Sequence, residues 1–129
     1  MDALQAFLTA DLTIEKEVLL RRLQTTLLIK AIDSGTLDKA REQATFYTGT
    51  GKNREREVDN EKFKAILITH MVMNVDFGNS DLMKKHNAMN AVDCVRKALL
   101  PGEIERVVNE GLALSGFGDT DETIDDLKN

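Results

Sequence analysis

The chain has 129 residues, 42% apolar and 30% charged, which suits one hydrophobic core of ordinary size and leaves no room for two. Its single cysteine, Cys94, excludes an internal disulfide framework and a CxxC metal knuckle, and fits a reducing compartment. No stretch approaches the roughly 18 apolar residues of a membrane span, and Met1-Asp2-Ala3-Leu4 lacks the basic flank of a signal peptide, so a cytoplasmic protein is expected.

The formal charge is −5. Asp119, Asp121, Glu122, Asp125 and Asp126 against Lys128 place −4 of it in the last eleven residues, which leaves −1 for residues 1–118. Such a surface has no cation excess to displace counterions from a phosphate backbone, so a protein partner is expected and no nucleic acid. Aromatics make up only 5% and Trp is absent, so aliphatic side chains and Met must fill the core, as is common in helical proteins.

In chain order, residues 2–8 predict a short helix with Asp2 at its N-cap and Leu4, Phe7 and Leu8 on one face, the pattern of a docking helix. Residues 14–32 fit both periods, because Val18, Leu19, Leu23 and Leu27 suit a helix while Leu27, Ile29 and Ala31 alternate; two short strands are the reading taken. Asp33-Ser34-Gly35-Thr36 is turn and cap chemistry, and Leu37, Ala40, Ala44 and Tyr47 then recur at helical spacing, predicting a helix over about 36–47. Residues 48–61 hold two glycines, many charges and one valine, too little apolar surface to offset ordering entropy, so a mobile loop is expected.

Beyond it Phe63, Ile66, Leu67, His70 and Met71 form a helical face that Ile68, Val72 and Met73 widen, implying burial on two sides. One side belongs to the core; the other is either core as well or a subunit or partner surface, with Ile66, His70 and Met73 as the candidate interaction face. Residues 75–80 break the helix, Ser80 is a cap for a short helix from Asp81, and Asn87 or Asn90 caps the next, which carries Val92, Val95 and Leu99. Pro101 suits the first turn of a last long helix, Glu103 favours its dipole, and Ile104, Val107, Val108, Gly111 and Leu112 form its inward face. Ser115-Gly116-Phe117 ends it in a Schellman pattern. The expectation is therefore one mainly α, compact multi-helix domain over 1–118 with at most a short N-terminal β-hairpin, followed by a frayed acidic tail over 119–129.

None of the chemical candidates reaches a site. Gly49-Thr50-Gly51-Lys52 lacks the leading glycine and trailing hydroxyl of a phosphate loop, where Phe46 and Asn53 stand. His70 and His86 have no partner at metal-ligand spacing, Cys94 has no neighbouring base, and the charges from Arg54 to Lys64 compensate one another. Ser115 is better explained by the helix stop than as a nucleophile. No catalytic residue, cofactor or metal is expected, and the protein reads as no enzyme.

Three ordered runs carry a resemblance. Asp76-Phe77-Gly78-Asn79-Ser80-Asp81-Leu82, Leu99-Leu100-Pro101-Gly102-Glu103-Ile104 and Leu114-Ser115-Gly116-Phe117-Gly118 resemble the C-terminal half of phage tail assembly chaperones. Leu28-Ile29-Lys30-Ala31-Ile32 followed by Leu37-Asp38-Lys39-Ala40-Arg41-Glu42-Gln43-Ala44-Thr45 is similar to that family's strand-then-helix unit. The resemblance implies a non-enzymatic helper in the host bacterial cytoplasm that binds the tape measure protein, keeps it soluble, promotes tail tube assembly around it, and is absent from the finished virion. It also implies a frameshifted longer form that recruits tail tube protein; Lys128-Asn129 is compatible with an A-rich slippery site. A homo-oligomer built through the broad apolar helix fits such a role. In this picture Asp76, Phe77, Leu100, Pro101, Gly102, Glu103, Ser115, Gly116 and Phe117 are structural. The rival is a small acidic regulatory protein, antitoxin-like or adaptor-like, which gene neighbours would distinguish.

Overall fold

A computed structural model describes residues 2–11 and 13–117; the acidic segment, expected to fray, lies outside the described residues. Within them are six α-helices and two antiparallel two-stranded sheets: α1 (Ala3–Thr9), β1 (Glu15–Leu20), β2 (Thr25–Lys30), α2 (Ser34–Gln43), β3 (Thr45–Thr48), β4 (Glu55–Val58), α3 (Asn60–Met71), α4 (Ser80–His86), α5 (Ala91–Ala98) and α6 (Pro101–Leu114). The mainly helical class with an N-terminal hairpin is the one the sequence predicts.

The ambiguous stretch 14–32 resolves as strands. β1 and β2 pair from Glu15 with Lys30 to Leu20 with Thr25, and Gln24 turns the chain with φ of 51°. Alternation puts Val18, Leu20, Leu27 and Ile29 in the core, so period two wins over the competing helical spacing. Residues 72–74 then strap the outer edge of β2. Val72 bridges to Ile29, the Met73 N–H donates to Leu28 O at 2.8 Å, and the Asn74 side chain accepts from Leu28 N–H and donates to Thr26 O.

Two expectations are corrected at α2. The helix starts at Ser34, capped by Asp33, and buries Leu37 and Ala40, but stops at Gln43 short of Tyr47. Tyr47 instead lies on β3, and the segment expected to be a mobile loop over 48–61 supplies β4, paired from Thr45 with Val58 to Thr48 with Glu55. The hairpin needs little apolar surface because both ends are tied to helices. Asp59 N–H donates to Ala44 O at 2.9 Å, Val58 packs on the core, and the Arg54 guanidinium lies 4.0 Å from the centre of the Tyr47 ring.

α3 is the central helix, packed against α2, α5 and α6. It buries Phe63, Lys64, Ala65, Ile66, Leu67, Ile68 and Met71, so much of its two-sided apolar face is covered within the chain. α4 is capped by Asn79, one residue before the expected Ser80; α5 is capped by Asn90, while Asn87 ends α4 in the left-handed region. α6 opens on Pro101 and buries its five predicted inward residues. Gly116, with φ of +96°, and Phe117 return their N–H groups to Ala113 O and Leu112 O, the bond pair of a Schellman motif.

Candidate interaction surface

The residues singled out for chemistry lie apart. Among the described residues no group of three His, Cys, Asp or Glu side chains could hold a metal ion. His70 is exposed near the end of α3, and His86 is half-buried at the end of α4. Cys94 is fully buried, and burial together with nearby Asp93 pushes its thiol pKa up, away from nucleophilic thiolate. Gly49 to Lys52 belongs to the turn of the second hairpin.

The runs that carry the family resemblance sit at joints between elements. Asp76 accepts the Gly78 N–H at 2.8 Å, and Phe77 beside it is buried in the core. Glu103 accepts the Leu100 N–H at 2.8 Å and holds Arg22 of the hairpin turn by two nitrogens, Nε at 3.0 Å and Nη2 at 2.7 Å; Arg22 also donates to Ala98 O. The Arg22 bonds, followed by the Leu100 N–H, hold the Glu103 carboxyl below its ordinary pKa against the opposing effect of burial. Leu100 and Gly102 are exposed on either side of Pro101. At the far end of α6 the Ser115 hydroxyl donates to Gly111 O at 2.7 Å and accepts the Ile32 N–H at 3.0 Å, which ties helix to strand. Lys64, nearly buried on α3, reaches Glu105 on α6 and lies 3.6 Å from Glu61. Burial lowers its pKa, but the two carboxylates outweigh it and the ammonium is held above its ordinary value.

What the fold leaves open is apolar surface. α1 has a complete capping box from Asp2 and Gln5 and buries none of its residues; Leu4, Phe7 and Leu8 are 67%, 83% and 73% exposed. A shallow groove of about 460 Å³ joins Ile14, Ile32, Met73 and Leu114 beside the start of β1. A second groove, about 250 Å³, lies between the tip of the first hairpin and α4. Of the candidate face, Ile66 is 3% exposed and belongs to the core, His70 is exposed, and Met73 is 45% exposed on the strap beyond the helix. The three therefore do not share one open face, and of them Met73 lines the first of these grooves. The sequence does not single out Ile14, and it includes Leu23 only in the helical spacing that the strands displace; each lies just outside a strand.

An exposed apolar helix and two apolar grooves are thus the open features of the surface, while the Glu103, Ser115 and Lys64 contacts tie elements together. The sequence profile of the phage XkdN-like tail assembly chaperone proteins matches residues 4–128, so the chain belongs to that family. It is 24% identical over 101 residues to the phage-like element PBSX protein XkdN of Bacillus subtilis (strain 168), covering 77% of this chain and 68% of that protein. The crystal structure of the protein yqbn shares the fold, with a TM-score of 0.64 at 17% identity over 92% of this chain and 99% of that one. No helix among the described residues is long and apolar enough to cross a membrane.

Proposed function

We propose that the protein binds the tape measure protein of its phage in the host cytoplasm, covers its apolar surface and holds it ready for the tail tube to assemble around it. The observation that carries this reading is α1, a preformed helix whose Leu4, Phe7 and Leu8 are exposed among the described residues, together with the apolar groove that Ile14 and Met73 line. A long helical client exposes side chains of the same chemistry, and docking removes both surfaces from water. Self-association lets bound copies reinforce one another along an elongated client, and a frameshifted longer form brings tube subunits to it. The protein then leaves before the virion is complete, acting as a binding partner without catalysis.

Co-expression with the cognate tape measure protein tests this. The wild-type chain is expected to raise the client's soluble yield and to co-purify with it, and Leu4→Ser with Phe7→Ser to remove both effects while leaving the chain's own unfolding midpoint unchanged. Absence of both soluble rescue and co-purification by the wild-type chain overturns the reading; retention by the α1 variant moves the contact off α1.

A further inference from the structure

We propose that α1 of one copy of the chain docks in the groove between the first hairpin's tip and α4 of a second copy, so that copies join head to tail. The two surfaces match in apolar character. α1 is held in shape by its capping box and buries none of its residues, and Leu4, Phe7 and Leu8 form one apolar stripe. The groove is walled by Leu20, Leu23, Val75, Phe77 and Leu82, and its 250 Å³ admits the side chains of such a stripe rather than a whole helix.

Charge selects this groove. Residues 2–11 carry Asp2 and Asp11 and no cation. The groove is lined by Arg22, Lys85 and His86 and by no acid. Arg22 is already held by Glu103, whereas Lys85, and Arg21 between Leu20 and Arg22 on the tip, have no ion-pair partner among the described residues. The groove at Ile14 and Met73 sets Asp33 beside Lys30, and one at Met89 contains Asp93, so both match an acidic helix less well.

Reach favours a neighbour's groove over the chain's own. Ile14 is pinned at the base of the first hairpin, where its carbonyl accepts the Ala31 N–H at 2.8 Å, and Leu20 lies six residues further along the strand, about 20 Å away. The path from Phe7 to Ile14 covers about 21 Å only with residues 9–14 drawn straight, and Asp11 shortens it by accepting the Thr13 N–H at 2.8 Å. Docking at home would open that turn, and docking on a second copy leaves it intact. Each chain then gives one helix and receives one, a heterologous contact that propagates. The inference rests on the self-association in the reading above and names its two surfaces. Since α1 there also meets the client, a copy on the client offers its groove, not its helix, to the next.

Light scattering on the full chain without client tests this. The wild-type mass should rise with concentration. A helix variant, Leu4→Ser with Phe7→Ser, and a groove variant, Leu23→Ser with Lys85→Glu, should each keep the mass of one chain up to about 1 mM. Their equimolar mixture should reach the mass of two chains and stop, because the intact groove of one receives the intact helix of the other. Lys85→Glu alone, at an exposed position, should weaken association about fivefold at low salt and less at high salt. A wild-type chain that stays monomeric overturns the proposal, as does an unchanged association of Lys85→Glu or a mixture that fails to pair. A groove variant that still associates by itself sets α1 against α1 and overturns it too. With no client present, each outcome leaves the client reading to its own co-expression test.

Discussion

Gly111 on α6 faces Met71 of α3 so closely that a methyl group there would sit 2.8 Å from the Met71 Cε and nearer still to its Sδ. Replacing Gly111 with Ala sets two effects against each other. The helix interior gains about 0.5–1 kcal/mol from the loss of glycine's backbone freedom. Against this, Met71 is fully buried and must leave its position in a packed core, which costs about 1–3 kcal/mol. The second effect wins, and Gly111→Ala should lose about 1 kcal/mol. With a urea slope of about 1–3 kcal/mol/M, this lowers the midpoint by about 0.5 M. Met71→Ala alone should cost about 2–5 kcal/mol by opening a cavity. In that background the added methyl has room, so Gly111→Ala should turn stabilising by its helix propensity, giving a coupling of about 1.5–2 kcal/mol in the double-mutant cycle. Urea unfolding of the four proteins measures it. A raised midpoint for Gly111→Ala alone, or the same change in both backgrounds, would refute the close-approach argument.

Two further substitutions probe the ends of α6. Gly116→Val should lower stability by about 1–2 kcal/mol through backbone strain alone, because a Cβ there meets no atom within 4 Å while φ is +96°; Gly116→Asn should lose less, and an unchanged midpoint for the valine variant would contradict the motif. Glu103 has a folded-state pKa lowered by Arg22 and by the Leu100 N–H. Its contribution is therefore complete above the ordinary value of 4.5 and lost as pH falls through the lower folded value. Glu103→Gln should flatten that part of the acid limb in a stability profile against pH, and an identical limb would exclude the clamp.

The parts of the fold open to reading from sequence are those decided locally. Pro101 and Gly116 bracket α6 through backbone chemistry that few other residues supply, whereas the first hairpin fits two periods in the sequence, and its pairing shows Val18, Leu20, Leu27 and Ile29 on the buried face. The second hairpin escaped because its order comes from backbone pairing between two anchored helices, while Tyr47 happens to continue the spacing of Ala40 and Ala44. The surface was less open still. A helix apolar on two sides has the same sequence whether its second side meets α2, α5 or another molecule, and Ile66 turned out to face the core. α1 itself was readable, because Leu4, Phe7 and Leu8 fall on one face behind the Asp2 cap.

The strap of residues 72–74 bears on how this chain can touch others. By taking the Leu28 N–H and carbonyl and the Thr26 carbonyl, it removes the outer edge of β2 as a template on which a second strand could grow. On the other strand the Leu19 carbonyl is occupied by Arg106. Adhesion at this hairpin is thereby shifted from backbone pairing, which propagates from chain to chain, toward side-chain contact, whose strength is set residue by residue and which can be released. Such a chain can expose a bare apolar helix and still keep its first hairpin from zipping into fibres.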